Sequence, residues 1–346
     1  MPENMLLDLS HDALRAFLVA LGEPPYRAQQ IWQAVYRDRV PSYDAMTTLP
    51  GRLRAELAER LPFALPVVEA TQVSIDGRTT KTLLRLADGE AVEVVAMRYA
   101  ERRTACVSTQ VGCAMGCTIC ATGRSGFVRD LSAGEIVAQV LHVAASVSAE
   151  GERLSHVVYM GMGEPFANYD ASLGSIRILN DPRGLGLGAR SFTVSTVGIV
   201  PGIERFADEG LQVNLAVSLH AADDELRDRL LPVNETYAID RLLAACRAYV
   251  EKTRRRITFE VALIDGVNDS PSHAERLAGR LRGLRCHINL IPFNPVPGCA
   301  WGRSPEERVS RFASVLEEGG IPVTVRVRRG VEIQAGCGQL RTEQRG

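Results

Sequence analysis

The sequence contains only two lysines, Lys81 and Lys252, among its 40 basic residues, so almost every positive charge is an arginine. It also has no apolar run that approaches the ~20 residues needed for a membrane-spanning helix, so no membrane association is expected. The N-terminal residues are acidic and lack the basic segment followed by a long apolar one that a secretory signal has. These absences predict a cytoplasmic protein.

The formal net charge is −1, so the total charge gives no indication of a nucleic-acid partner. Arginine, however, binds phosphate groups bidentately and stacks on bases. Two arginine-rich runs, Arg254–Arg256 and Arg326-Val-Arg328-Arg329, are therefore candidates for RNA contacts. A genome biased toward arginine codons, with both runs on solvated surfaces, explains them equally well.

The length of 346 residues favours one large domain plus a smaller one. Residues 1–62 are predicted to form a helical module, because apolar residues recur three and four apart over Asp12–Leu21, Ala28–Tyr36, Tyr43–Leu49 and Leu53–Leu61. Residues 63–98 are predicted to form a β-meander that links this module to the main domain, with turns at Asp76-Gly77 and Asp88-Gly89.

Strands and helices alternate in the predicted main domain, residues 99–332. The predicted strands are Thr104–Ser108, His156–Met160, Ser191–Thr196, Val213–Leu219, Ile257–Ile264, His287–Pro292 and a last strand Val323–Val327. The predicted helices are Ala133–Ala149, Ala171–Asn180, Gly202–Glu209, Ile239–Glu251, Ser272–Leu281 and Pro305–Gly319. Six βα units favour an α/β fold, a partial (βα)6 barrel whose chemistry lies at the carboxyl ends of the strands. Residues 333–346 follow as a C-terminal tail.

Eight cysteines in a chain of this length do not indicate a disulfide scaffold. Three are isolated and are predicted to be buried apolar residues: Cys246, Cys286 and Cys299. Cys113, Cys117 and Cys120 lie close together in a loop after the first barrel strand. Thiolates suit iron–sulfur clusters, and three of them leave one iron of a [4Fe–4S] cluster open to a further ligand. A zinc site with Cys106 as fourth ligand, or unrelated buried thiols, are the alternatives.

Small polar residues follow several of the predicted strands. Glu164, in Gly161-Met-Gly-Glu-Pro165, can accept a hydrogen bond from an ammonium group or a ribose, although the motif alone is typical of a glycine-rich turn. Ser195, Ser218-Leu219-His220 and Asn294 end or follow other strands. Each alone is consistent with a turn residue, but together they mark the rim where a ligand should bind.

Two further residues do not fit a simple structural role. Cys337 lies between glycines near the C-terminus, where a core residue is not expected; a stray thiol or an additional metal ligand are the simple interpretations. Glu93 is the only charged residue in Val92-Glu-Val-Val95. The pattern alone favours the outward face of an edge strand for Glu93, with a functional role as the alternative.

These motifs resemble those of a known family. Cys113-x3-Cys117-x2-Cys120 is similar to the signature of the radical S-adenosylmethionine (SAM) superfamily, which uses a partial barrel. The wider series resembles the RlmN/Cfr family of RNA methyltransferases, and especially its RlmN branch, in order over nearly the whole chain. The matching segments are Cys106–Gln139, Gly161–Pro165, Val194–Gly198, Val217–His220, Asn289–Pro295 and Ala335–Leu340.

The resemblance implies a [4Fe–4S] cluster on Cys113, Cys117 and Cys120, and two molecules of SAM consumed per turnover. The residues that match the family's SAM contacts are Gly163, Glu164, Ser195, Ser218, Leu219, His220 and Asn294. It further implies that Cys337 carries the methyl group as S-methylcysteine. A 5′-deoxyadenosyl radical takes a hydrogen from that methyl, and the resulting radical adds to C2 of an adenine, a carbon too electron-poor for direct displacement.

Two residues are implied in releasing the product. Cys106 attacks the sulfur of Cys337 in a transient disulfide, which must then be reduced. Glu93 accepts the C2 proton. A reducing cytoplasm and a reductase that supplies electrons fit this cycle.

The implied substrates are one adenosine of 23S rRNA and an adenosine beside the anticodon of tRNAs, and a monomer is expected. The N-terminal module is similar to the family's helix-hairpin-helix-like RNA-binding domain. Gln334 and Gly336 depart from the acidic residue and the alanine common there, which bears on loop ordering or choice of RNA. The alternatives are a Cfr-like enzyme that methylates C8, another radical enzyme such as a glycyl-radical activase, and a zinc-dependent RNA-binding module.

Overall fold

A computed structural model of the chain describes residues 5–327 and 329–340. The first four residues of the predicted helical module, Arg328 of the second arginine run, and the end of the predicted tail after Leu340 lie outside the described residues. No helix in these ranges is long and apolar enough to cross a membrane.

The N-terminal module contains helices α1 (His11–Ala20), α2 (Arg27–Tyr36) and α3 (Gly51–Arg60). Ser10 caps α1 by accepting a hydrogen bond from the Ala13 N–H, as expected for a serine before a helix. The prediction of a helix over Tyr43–Leu49 is wrong, because this segment forms successive three-residue turns. Such turns also bury every third residue, so the apolar spacing did not distinguish them from a helix.

One ten-stranded sheet forms the centre of the molecule, in the order β1-β2-β3-β4-β7-β8-β9-β10-β11-β12. Its strands are β1 (Val67–Val73), β2 (Thr79–Arg85), β3 (Ala91–Arg98), β4 (Arg103–Cys106), β7 (His156–Tyr159), β8 (Phe192–Thr196), β9 (Asn214–Ser218), β10 (Ile257–Leu263), β11 (Cys286–Pro292) and β12 (Val323–Val325). Within this sheet, β4 and β7 to β12 are parallel to one another, and β1 to β3 extend it in antiparallel fashion. Residues 63–98 therefore pair directly with the barrel.

Helices connect the parallel strands, as parallel pairing requires. They are α4 (Ala121–Arg124), α5 (Ala133–Ala149), α6 (Tyr169–Asn180), α7 (Val200–Asp208), α8 (Asp224–Leu230), α9 (Ile239–Thr253), α10 (Pro271–Leu281) and α11 (Glu306–Glu318). A capping box formed by Ser132 and Glu135 starts α5 at Ala133, the residue at which the sequence predicts this helix to begin. The sequence analysis missed the short helix α8, although Asp223 caps it.

A two-stranded antiparallel sheet, β5 (Gln110–Gly112) with β6 (Phe127–Asp130), was also missed, because both strands are too short to show alternation. It closes the base of the loop that carries Cys113, Cys117 and Cys120. Of the three isolated cysteines, Cys246 and Cys286 are buried as predicted, whereas Cys299 is half-buried.

Candidate active site

The barrel encloses a cavity of about 780 Å³. Cys106, Asn294 and Cys337 line it near the carboxyl ends of the strands, and Glu260 and Asn289 line its middle. This is the end at which barrels of this class carry their chemistry. The structure thus brings together two cysteines that are 231 positions apart in the sequence.

The cysteine triad lies on a tightly wrapped loop between β5 and α4. The Cys113 N–H donates to the Gly126 carbonyl at 2.7 Å, and the Thr118 N–H donates to the Leu230 carbonyl at 3.0 Å. Gly112 has a φ of +74°, and a Cβ there would lie 2.1 Å from the same Gly126 oxygen. Only glycine fits this position, so the loop geometry depends on it.

The three thiols lie near enough to one another to interact electrostatically. Burial, and then neighbouring charges, raise the pKa of Cys113 to about 12 and the pKa of Cys117 well above its usual value. Thiolates at these positions therefore need a bound cation to compensate their charge. Among the described residues no three His, Cys, Asp or Glu side chains surround a single point as ligands of one ion would. Three soft donors on one loop fit a multi-iron cluster, in which each thiolate binds its own iron.

The C-terminal tail is attached to this loop. The Ala121 N–H donates to the Gly338 carbonyl at 2.7 Å, and the Asn294 side-chain amide donates to the Cys337 carbonyl at 3.3 Å. Cys337 is thereby held beside the triad loop. Its side chain lies inside the barrel but is accessible to solvent, because it faces the open cavity.

Cys106 lies in β4 and lines the cavity together with Cys337. Burial raises the pKa of Cys106 to about 12, and the charge of Cys337 contributes to that shift. Burial also raises the pKa of Cys337 to about 11, although the positive charge of Arg326 opposes this. Cys106 therefore lies within electrostatic range of Cys337, and in the described part of the chain it does not gather with the triad around one point as zinc ligands would.

Glu164 is almost fully buried where the loop after β7 meets the end of β8. Its carboxylate accepts hydrogen bonds from the Phe166 N–H at 3.0 Å and the Val197 N–H at 2.8 Å. Burial raises the pKa of Glu164 to about 7. The Thr196 side chain is a third hydrogen-bond partner of this carboxylate. A carboxylate can accept about four hydrogen bonds, so one site remains for an ammonium group. The preceding Gly163 has a φ of +97° and packs against Gln110 without room for a Cβ.

His220 follows β9 and has a φ of 58°, a conformation uncommon for a residue with a side chain. Its Nδ1 accepts a hydrogen bond from the Ala262 N–H at 2.9 Å, so the proton is on Nε2. Burial, and then the charge of Arg227, lower the pKa of His220 to about 3. His220 is thus a neutral donor at the rim.

The other rim residues end neighbouring strands. Ser195 is half-buried near the end of β8, and Ser218 is half-buried at the end of β9, followed by the buried Leu219. The Asn294 Oδ1 is buried without a hydrogen-bond partner among the described residues. The structure thus brings the rim residues to one end of the barrel, and their contacts with a cofactor stay a prediction.

Glu93 is buried, and its Oε1 lies 2.8 Å from the Nζ of Lys81. The interpretation from pattern alone, an outward face on an edge strand, is wrong because β3 lies between β2 and β4. Glu93 is on the same face of β3 as Val95 and Met97, which line the cavity. Its role as a proton acceptor stays a prediction.

Sequence reasoning missed several functional candidates. Arg227 is completely buried and donates to the carbonyls of Val197 and Ser218, which joins the ends of β8 and β9. Glu260 lies in the cavity wall, where its Oε1 accepts from the Asn289 amide at 2.9 Å and its Oε2 has no partner in the part of the chain that is described. A lone glutamate within the apolar strand β10 was the available signal for Glu260.

Comparison with known proteins gives two family matches. Residues 107–277 match the model described as "Radical SAM superfamily", and residues 4–62 match "Ribosomal RNA large subunit methyltransferase N-terminal domain".

Several curated relatives are similar to this chain over nearly its full length. "Probable dual-specificity RNA methyltransferase RlmN" of Chloroflexus aurantiacus is 51% identical over 98% of this chain and 93% of its own. The protein of the same name from Geobacillus kaustophilus is 48% identical over 99% of this chain and 94% of its own. Among solved structures, a radical SAM methyltransferase from Sphaerobacter thermophilus matches with a TM-score of 0.96 and 53% identity, over 98% of this chain and 100% of that one.

Proposed function

We propose that this chain methylates C2 of an adenine in RNA through an S-methylcysteine at Cys337. The proposal starts from the family: this chain belongs to the RlmN family of radical SAM RNA methyltransferases. The observation that carries the proposal is the cavity that Cys337 and Cys106 line together beside the triad loop. A single displacement reaction would need only one nucleophile. Two thiols in one cavity suit a methyl carrier and a second thiol that releases the product.

The family uses a [4Fe–4S] cluster and SAM as cofactors. Cys113, Cys117 and Cys120 would hold the cluster, which when bound supplies the electron that cleaves SAM to a hydrogen-abstracting radical. Glu164 would accept a hydrogen bond from the amino group of SAM, assisted by Gly163, which leaves room for the ligand. The remaining contacts would come from the rim residues Ser195, Ser218, Leu219, His220 and Asn294.

Cys337 would first take a methyl group from SAM onto its sulfur. Arg326 favours this step because its positive charge opposes the burial that raises the pKa of Cys337. The tail hydrogen bonds of Gly338 and of the Cys337 carbonyl orient the sulfur toward the cavity. The carried methyl is then delivered as a carbon radical, which can add to an electron-poor ring carbon.

Release of the product would use Cys106 and Glu93. The radical adduct first returns one electron to the electron source and loses its C2 proton. The Cys106 thiolate then attacks the Cys337 sulfur, a disulfide forms, the bond between that sulfur and the transferred carbon breaks, and that carbon takes a proton to become the methyl group. Glu93 takes the proton that leaves C2, and the Lys81 ammonium, whose Nζ lies 2.8 Å from the Glu93 Oε1, orients that carboxylate. The disulfide must be reduced before the next turnover.

The names of the relatives support RNA of two kinds as substrates. We propose 23S rRNA and tRNA, with a reductase as electron source and a monomeric, cytoplasmic enzyme. The N-terminal helical module, residues 1–62, would hold the RNA.

The test is anaerobic turnover with reconstituted enzyme, SAM, a reductant and tRNA or an rRNA fragment, followed by mass mapping of the nucleosides. The expected product is 2-methyladenosine. Cys337→Ala should abolish the product, whereas Cys106→Ala should accumulate RNA linked covalently to the protein. The half-buried Cys299 provides the control, since Cys299→Ala should retain activity.

Two outcomes would contradict the proposal. Formation of 8-methyladenosine would instead identify a Cfr-like reaction at C8. Full activity of Cys337→Ala on RNA would exclude a methyl carrier at this position.

A further inference from the structure

The cavity extends to the amino ends of the barrel strands, where arginines line it and most of them are exposed. This arginine mouth consists of Arg102, Arg254, Arg255, Arg256, Arg285 and Arg329. Arg102 precedes β4, the triple run precedes β10, and Arg285 precedes β11. Arg329 lies beside them because its Nη1 donates to the Arg98 carbonyl at the end of β3. Arg254–Arg256 from the first arginine-rich run and Arg329 from the second therefore lie at the same end of the cavity.

No arginine of the mouth is ion-paired with a carboxylate among the residues described. Many arginines elsewhere do have such partners, for example Arg129 with Asp88 and Glu135. A solvated face would show the same mixture of charges as the rest of the surface. The mouth instead gathers like charges, which repel one another unless an anion binds.

The wall of the cavity as a whole also has more positive than negative side chains. Seven arginines and one glutamate line it: the six of the mouth, together with Arg326 and Glu260. Their formal charges sum to +6 in a chain whose net charge is −1. Burial, and then the charge of Arg256, lower the pKa of His287, and burial and Arg102 do the same to the pKa of His156. The electrostatic potential at this end of the cavity is therefore strongly positive.

Two guanidinium groups have unused donors. The Nε atoms of Arg255 and Arg329 are buried without a hydrogen-bond partner in the described part of the chain. Arg102 and Arg329 also stack against the ring of Tyr99, with their guanidinium carbons 4.3 and 4.4 Å from its centroid. Stacking fixes the guanidinium planes while leaving N–H groups for a ligand. Arginine groups oriented in this way suit bidentate binding of phosphate.

We propose that the arginine mouth binds the phosphodiester backbone of RNA on either side of the target adenosine, whose base enters the cavity from this end. The inference rests on the proposed function, since it needs an RNA substrate. Cys106 is four residues beyond Arg102 in the chain, which corresponds to about 13 Å along a strand. One extended nucleotide and an arginine side chain span that distance, so a base can reach Cys337 while its phosphates stay at the mouth.

The test is the salt dependence of RNA binding by Arg102→Gln/Arg256→Gln. Both side chains are exposed, and apart from the stacking of Arg102 on Tyr99 neither makes a side-chain hydrogen bond or ion pair with the described residues. The substitution therefore removes charge with little effect on folding. Binding of a fluorescent hairpin RNA that contains the target adenosine is measured by anisotropy over a range of salt. The slope of log K against log salt should become shallower by about 1.4, because each phosphate contact to a single strand contributes about 0.7.

Two control variants accompany it. Arg241→Gln/Arg311→Gln removes the same charge from the exposed faces of α9 and α11 and should leave the slope unchanged. Arg102→Lys/Arg256→Lys keeps the positive charges and should retain most of the slope. An unchanged slope in the glutamine variant, or an equal loss in the α9 and α11 variant, would overturn the proposal.

A modified RNA locates the contact. A methylphosphonate, which removes one phosphate charge, is placed beside the target adenosine or in the distal stem. The neighbouring substitution should weaken binding to the unmodified enzyme but have little further effect on Arg102→Gln/Arg256→Gln. Equal effects of both positions on both proteins would mean that the mouth binds elsewhere on the RNA, and would overturn the inference.

A separate measurement distinguishes this inference from the proposed function. Methylation of Cys337 by SAM, read from the mass of the intact protein, requires no RNA at the mouth. It should be the same in Arg102→Gln/Arg256→Gln as in the unmodified enzyme. Failure of Cys337 methylation in the unmodified enzyme would instead contradict the methyl-carrier proposal, whatever the RNA affinity.

Discussion

Replacement of Gly112 by alanine should prevent the triad loop from holding its cluster. The added Cβ would lie 2.1 Å from the Gly126 oxygen, well inside the 3.4–4 Å of an ordinary contact, so that carbonyl must move by more than an ångström. The same oxygen accepts the Cys113 N–H at 2.7 Å. The substitution therefore costs about 1–2 kcal/mol for the left-handed backbone and about 1–3 kcal/mol for the buried hydrogen bond that it breaks.

Gly126 provides the matched control. It also has a positive φ, +84°, but a Cβ there meets no atom within 4 Å. Gly126→Ala should therefore cost only the backbone term, about 1–2 kcal/mol, and should still bind the cluster. The pair of variants separates backbone conformation from steric contact at the same end of one small sheet.

The assay is anaerobic reconstitution with iron and sulfide, scored by iron per chain and the brown absorbance, together with thermal unfolding of the protein before reconstitution. Gly112→Ala should contain little iron, whereas Gly126→Ala should match the unmodified protein. If Gly112→Ala takes up as much iron as Gly126→Ala and unfolds at the same temperature, the steric account of this loop is incorrect.

Three further substitutions test other parts of the site. Arg227→Met should lower the free energy of unfolding by about 3 kcal/mol, measured by urea denaturation, because several buried carbonyls lose a charged donor; Arg229→Met on the exposed side of α8 should change it little. His220→Asn should reduce the loss of stability on acidification. The pKa of His220 is about 3 in the folded protein and 6.5 in the unfolded chain, so below pH 6.5 the unfolded chain binds a proton that the folded protein does not. The free energy of unfolding therefore falls by up to about 1.4 kcal/mol per pH unit as the pH drops below 6.5. Gly338→Ala should slow Cys337 methylation, because its Cβ would lie 3.1 Å from the Ile119 backbone oxygen at a φ of +82°. Gly320→Ala should leave that rate unchanged, since Gly320 also has a positive φ, +79°, but a Cβ there meets no atom within 4 Å.

Each of these has a result that would contradict it. For Arg227, an unchanged midpoint in urea would mean that the rim carbonyls find other donors. For His220, parallel pH dependences between pH 5 and 6.5 in the two proteins would assign the acid sensitivity to other groups. For Gly338, a methylation rate equal to that of Gly320→Ala would show that the turn at Gly338 tolerates a side chain.

Most of the fold could be predicted from the sequence, because its signals are local. The parallel strands and their connecting helices lie within a few residues of their predicted bounds, since apolar runs and helix caps act over short distances. The errors have the same origin. Successive turns at 43–49 bury residues at helical spacing, and strands as short as β5 and β6 contain too few residues to show a period. The turns at 43–49 therefore have the local pattern of a helix, and β5 and β6 have no local pattern that marks them as strands.

The sequence by itself determined the cysteine spacing of the triad loop and the order of the βα units, because both depend on residues close together in the chain. Only the tertiary structure decided that Cys106 and Cys337 line one cavity. It also decided that Glu93 is buried against Lys81, and that Arg329 lies with Arg254–Arg256 at the opposite end of the cavity. Pairing of β3 inside the sheet and the return of the chain after β12 produce these contacts. Such long-range contacts depend on how the whole sheet is assembled, and no local pattern in the sequence records that.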